Sequence, residues 1–218
     1  MRKGNKPLRE GSKLDLPVIL DAAFAVLDAS GFDGLSLRAV ADRLEVQSPA
    51  LFWHVKNRAE LITRMAITYM DAAARSKTEG HGWSDMLIHF ARGLRTAMLQ
   101  HQDSARLCLA AQPQGKPRDS ADRLAGPLTA DGLSRDHALS YQAAVTAYTV
   151  GWVGYQQSEA MGEFLTHIID FDLSFEMGLQ AMVMGFENQQ SKPQMFKKLQ
   201  VVRSINADKK RAKRAARP

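Results

Sequence analysis

Apolar residues recur along this chain of 218 residues at intervals of three and four, the mark of helices that bury one face. Leu16, Ile19, Leu20, Ala23, Val26 and Leu27 set the first stripe. Pro17 suits its first turn, and Gly31 stands where a left-handed glycine ends many helices. Ser36 reads as the N-cap of a second, short helix carrying Leu37, Val40, Ala41 and Leu44. Ser48-Pro49 opens a third: a hydroxyl that can accept an orphan N–H, then a residue with none to lose. The third helix must be very short, because Asn57 already caps a fourth, with Glu60 in the capping-box position. Leu61, Ile62, Met65, Tyr69 and Met70 line that fourth helix.

After a polar turn over 75–82, the same period predicts helices over 84–100, 104–111, 117–129, 134–159 and 172–189, with 162–171 a loop or short helix. Sustained period-two alternation is missing, and no internal repeat is visible. The expected fold class is all-α.

Charge changes the picture at the ends only. Lys and Arg number 29 against 23 Asp and Glu, a balance that favours a polyanionic partner. Yet residues 192–218 hold ten basic side chains and one acid, Asp208, a net of +9, which leaves −3 for the other 191 residues. A smaller basic cluster, Arg2, Lys3, Lys6, Arg9 and Lys13, opens the chain. The global basicity therefore describes the tail, and any nucleic-acid argument for the body must rest on where its charges sit. Within the tail, Met195, Phe196, Leu199, Val202 and Ile205 keep helical spacing. Three readings stay open: an extra helix packed on the body, non-specific DNA attraction, or a basic amphipathic helix touching a membrane surface.

The single cysteine, Cys108, makes no internal disulfide. No apolar leader follows the basic start, and no apolar run is long enough to span a bilayer. A cytoplasmic protein without stable membrane association is expected.

The first 60 residues carry the sharpest signal. Three helices, the last two short and joined around Glu45-Val46-Gln47, have the arithmetic of a helix-turn-helix. Leu51 is the natural inward anchor of the third. Phe52, Trp53 and His54 follow it and cannot all be buried in so short a segment. Trp53 has two readings, a core wedge between the third and fourth helices or an outward contact.

The run from Ile19 to Leu61 resembles the DNA-binding domain of the TetR family. The likeness is carried by Leu27, Gly31, Gly34-Leu35-Ser36, Arg38, Val40-Ala41 and Leu44, then by Phe52-Trp53-His54 and Lys56-Asn57-Arg58. The resemblance implies that Arg38 contacts DNA and that Ser48, Pro49 and Ala50 read base edges and thymine methyls. It implies that Phe52, Trp53 and His54 touch sugar-phosphate or pack beneath it. Lys56 and Arg58 would meet a phosphate at the start of the fourth helix, where the helix dipole also favours an anion. Ala50 and Leu37 are apolar where family members often carry Thr or Lys, which favours methyl contacts at those steps.

A weaker likeness links residues 83–190 to the C-terminal domain of tetracycline repressors, through Trp83-Ser84-Asp85, the run 103–113, the run 151–159 and the run 175–187. It implies dimerisation through the helices starting at Ser134 and Asp172, with Ala143-Ala144-Val145 and Leu179, Met182, Val183 and Phe186 as candidate stripes, or else as monomer core. That likeness also places Cys108, Ala147 and Tyr155 where a metal site would be, and Ala74 where a histidine would touch the drug. Magnesium needs oxygen ligands, so a tetracycline–magnesium complex is rejected as the ligand. The remaining candidates for an effector site are Phe90, Leu94, Cys108, Tyr148, Trp152 and Tyr155, which suit an apolar or aromatic molecule with one or two polar handles.

Enzyme chemistry finds no support. The six histidines are scattered, and zinc-site cysteine pairs, phosphate loops and nucleophile elbows are missing. No catalytic residue, metal or cofactor is expected. The expected organisation is a basic arm over 1–13, a helix-turn-helix domain over 14–62, a ligand-binding and dimerisation domain over 63–190 and a basic extension over 191–218. The expected function is a homodimeric repressor on a near-palindromic double-stranded operator, released by a small-molecule effector. The alternative is a regulator of the same fold that acts without a ligand, or as an activator.

Overall fold

The computed structural model describes residues 14–75, 82–112 and 117–190. The basic arm and the basic extension lie outside the described residues, and so do the three readings of the tail. Ten α-helices and no strand occur among the described residues. They are α1 (Leu16–Gly34), α2 (Leu37–Leu44), α3 (Ser48–Leu51), α4 (Arg58–Ala74), α5 (Trp83–Met98), α6 (Ser104–Ala110), α7 (Pro117–Ala130), α8 (Arg135–Gln157), α9 (Glu159–Thr166) and α10 (Phe171–Gln190). None is long and apolar enough to cross a membrane.

Helix starts follow capping chemistry. Asp15, Ser36, Asn57, Ser134 and Ser158 each accept an N–H from the first turn of the helix they open. Gly31 breaks the helical run of α1 with φ +68, as expected of a glycine there. The next residue, Phe32, donates its N–H to Asp103 Oδ2 at 2.8 Å, and a β-carbon on Gly31 would sit 3.0 Å from the same oxygen. The turn after α1 is thereby seated on the start of α6.

The described residues up to Leu179 form one compact unit, and those from Gln180 onward belong to a second. In the first unit a single apolar core joins Ile19, Leu27, Leu51 and Leu61 to Leu94, Met98, Leu107 and Val153. Helix α4 runs unbroken through residues 62 and 63, so the expected domain boundary falls within a helix.

The candidate dimer stripes divide. Val145, Leu179 and Val183 are buried in the single chain, so these three are core. The apolar positions left in solvent lie on other faces. They are Ala143, Ala147 and Gly151 at every fourth residue of α8, and Leu173, Met177 and Met184 on α10. Of the candidate stripes, Ala143 is among the exposed positions, and Ala144, Met182 and Phe186 are half-buried.

Candidate nucleic-acid interface

Helix α2 turns Val40, Ala41 and Leu44 into the core, which leaves Arg38 on the opposite face, in solvent. Its Nε lies 3.9 Å from Asp42 Oδ2, an exposed pair of little energetic weight. The helix ends at Glu45, held in the left-handed region at φ +56, with its N–H on Ala41 O and Asp42 O. Val46 N–H returns to Ala41 O at 3.0 Å, closing a tight exit.

Helix α3 is one turn long, Ser48–Leu51. Its N-cap is Gln47, with no side-chain cap bond, and Ser48 is already helical; the expected capping role for Ser48 is not taken up. Leu51 and Val55 are fully buried, and Val55 N–H donates to Leu51 O at 2.9 Å. These two anchors fix what lies between them. Phe52 is 53% exposed and Trp53 90% exposed, the latter a large apolar surface standing in water. The chain does not adopt the core-wedge reading of Trp53. Pro49 is exposed, and Ser48, Ala50 and His54 are half-buried.

The start of α4 is built reciprocally. Asn57 Oδ1 accepts Glu60 N–H at 2.9 Å, and Glu60 Oε2 accepts Lys56 N–H at 2.9 Å. That N–H, followed by the Arg64 guanidinium, holds the Glu60 carboxyl below the ordinary carboxylate range. The Lys56 backbone is thus fixed while its ammonium stays in solvent.

Arg58 departs from its expected phosphate contact. Its Nε donates to Leu35 O at 2.6 Å and its Nη2 to Phe32 O at 2.7 Å, with the guanidinium 4.7 Å above the Phe32 ring. Phe32 O receives only a long main-chain bond, from Leu35 N–H at 3.4 Å, and Arg58 supplies the short ones to both carbonyls. It locks the end of α1 to the start of α4. Arg106 stands over the same ring at 5.1 Å and pairs with Asp33.

The effector candidates differ in their surroundings. Leu94 is fully buried, and Phe90 and Cys108 pack half-buried against the same core. Burial pushes the Cys108 thiol up to about 12, so it is neutral near pH 7. Tyr148 donates its hydroxyl to Phe175 O at 2.9 Å and stacks on the Phe175 ring. Burial, foremost, raises that phenol above its ordinary range. Trp152 donates Nε1–H to Phe171 O at 3.2 Å. Both therefore hold the start of α10 against α8. Tyr155 faces solvent. A protonated thiol and the exposed Ala147 and Tyr155 do not fit a hard cation, which needs several oxygens.

Three features escaped the sequence. Gly178 has Tyr148 Oη 2.3 Å from where a β-carbon would stand, so its lack of a side chain admits that ring. Tyr69 is 2% exposed with its hydroxyl unpartnered among the described residues. The lack of a side-chain cap bond at Gln47, the N-cap of α3, is the third.

Comparison with known proteins agrees with this geometry. Residues 19–65 match the family of bacterial regulatory proteins, tetR family, and residues 76–167 match the tetracyclin repressor-like C-terminal domain. The chain is 30% identical over 200 residues to the class G tetracycline repressor protein of Vibrio anguillarum, covering 81% of this chain and 95% of that one. It is 29% identical over 202 residues to the class D repressor of Escherichia coli, covering 82% and 91%. A TetR variant from Acinetobacter baumannii AYE, crystallised with minocycline, superposes with a TM-score of 0.67 at 31% identity, covering 81% of this chain and 98% of that one.

Proposed function

The chain belongs to the TetR family of bacterial transcriptional regulators, and from that premise we propose that it is a homodimeric repressor released from its operator by an apolar or aromatic small molecule. The observation that carries the DNA reading is α3. Two buried anchors hold a one-turn helix so that Trp53, Phe52 and Pro49 face outward beside Arg38 and Lys56. An α-helix of this bulk fits the major groove, about 12 Å wide. Each subunit would supply one such helix, and the two would enter half-sites about 34–36 Å apart, or a multiple of that distance. Arg38, Ser48, Pro49, Ala50, Phe52, Trp53, His54 and Lys56 are the proposed contacts, with Arg58 holding the frame behind them. The small residues exposed on α8, with Leu173 and Met177 at the start of α10, would supply the surface for the dimer.

Effector binding would act through the seat of the reader. The start of α6 holds the turn after α1 through Asp103 and Arg106, and α4 holds it through Arg58. A ligand that prefers one placement of α4 and α6 changes operator affinity by its difference in affinity for the two placements.

Retention of genomic fragments on the purified full chain tests the DNA reading, with Arg38→Ala as the comparison. The wild type retains discrete fragments, and the variant retains them at least about tenfold less while remaining dimeric. Equal retention by both removes Arg38 from the contacts. One observation favours the ligand-free alternative: the polar atoms of Tyr148 and Trp152 are already engaged on α10. A thermal-shift screen of aromatic compounds decides, since a ligand at a hundred times its Kd stabilises by about 2.7 kcal/mol.

A further inference from the structure

Tyr69 is buried where three elements meet. Its ring, on α4, lies 5.3 Å from that of Phe24 on α1 and 6.1 Å from that of His101, in the turn before α6. The side chain is 2% exposed, yet its hydroxyl has no hydrogen-bond partner among the described residues. A buried polar group left unpaired costs folding free energy, and nearly all such groups in folded proteins are paired. The polar atoms around the ring are already taken. Asp28 Oδ2 meets His101 Nδ1 at 2.8 Å, and Asp28 Oδ1 accepts Gln102 N–H at 3.2 Å. The His101 carbonyl accepts Gln157 Nε2–H at 2.7 Å. What remains is the half-buried thiol of Cys108 on α6, which belongs to the same core. Burial foremost, then Cys108 and Asp28, holds the phenol above its ordinary range, so it keeps its proton.

We propose that the Tyr69 hydroxyl anchors the effector, donating to a neutral carbonyl oxygen of an aromatic molecule seated beside Cys108; this rests on the effector reading above. The chemistry of the surroundings selects that oxygen. A protonated phenol and a neutral thiol both offer a hydrogen, so an acceptor is wanted between them. Asp28 works against a carboxylate here, and a plain hydrocarbon would leave the hydroxyl unpaired. A ketone meets both conditions. The position also bears on control, because α4 and α6 are the two elements that hold the turn after α1. A ligand bonded to Tyr69 lies at their junction.

Equilibrium dialysis of the full-length protein against fluorenone, xanthone and benzophenone tests this, each beside its carbonyl-free analogue, fluorene, xanthene and diphenylmethane. The wild type binds at least one ketone about tenfold more tightly than its analogue, the size of one hydrogen bond in a buried site. Tyr69→Phe binds that ketone and its analogue alike. Without ligand, Tyr69→Phe melts at the wild-type temperature or above it, since the hydroxyl it removes has no partner to lose. A melting point several degrees lower overturns the assignment, because the hydroxyl would then already serve the fold. So does a Tyr69→Phe protein that keeps the preference for the ketone, or a wild type that binds ketone and analogue equally. If the wild type binds no compound of either kind, the aromatic-effector reading itself has failed, and the two failures are distinguishable.

Discussion

The aromatic residues of α3 and those of α8 look alike on paper and behave oppositely. Phe52 and Trp53 stand in solvent. Tyr148 and Trp152 place their polar atoms on Phe175 O and Phe171 O and their rings on the start of α10. The difference comes from what lies opposite. Helix α3 is a single turn pinned by Leu51 and Val55, with no second layer above it. Helix α8 faces another helix that enters at Phe171, where first-residue carbonyls lie within reach. An aromatic next to a partner helix becomes structure, and one without a partner is left for a ligand.

That contrast is sharpest where a substitution separates anchor from reader. Leu51→Ala removes the fully buried anchor of α3 and lowers unfolding free energy by about 3 kcal/mol in urea titration at fixed protomer concentration. A loss under about 1 kcal/mol would mean that α3 is not held from beneath.

On the α8 side, Gly178→Ala drives a methyl into the Tyr148 hydroxyl, whose ring is fixed by its hydrogen bond to Phe175 O. Overpacking of this kind costs about 2 kcal/mol, read by the same titration. Pairing it with Tyr148→Ala recovers part of the loss if the clash is the cause.

Tyr148→Phe deletes only the hydroxyl and costs about 1 kcal/mol. It leaves effector response unchanged if the phenol is structural. A lost response at unchanged stability would return Tyr148 to the effector site.

The smallest effect on stability is expected at Trp53. Replacement by Ala shifts unfolding by less than about 0.5 kcal/mol, since the side chain is 90% exposed. Operator affinity nevertheless falls at least about tenfold. A stability loss matching that of Leu51→Ala would erase the distinction between the two regions.

Legibility in the sequence follows the same divide. The helices of the reader are written in contiguous signals: Ser36 and Asn57 as caps, Gly31 as a break, Glu60 closing its box. That Phe52, Trp53 and His54 cannot all be buried was readable because a one-turn helix has one buried side, whereas the choice between core and solvent for Trp53 was not. Arg58 was misread because its partners, Phe32 O and Leu35 O, are main-chain atoms more than 20 residues away, and no residue type advertises a carbonyl. Farther along, helix limits came through within a residue or two at α6 and α10. Within the candidate stripes, exposed Ala143 and buried Val145 share one helix, and only tertiary packing says which is buried. An effector site is likewise defined by contacts between helices and not along one, so the sequence alone does not delimit it.

Methylation protection of guanine N7, an atom of the major groove, on a fragment selected by the full-length protein tests the central claim most directly. The account predicts two protected patches related by a dyad, with centres one helical turn or a multiple of about 10–10.5 base pairs apart. Both patches vanish together when Trp53→Ala is used at the wild-type concentration. Protection at a single site, a specific complex that leaves every guanine N7 open, or a wild-type pattern from Trp53→Ala would contradict a reader built on the outward face of α3.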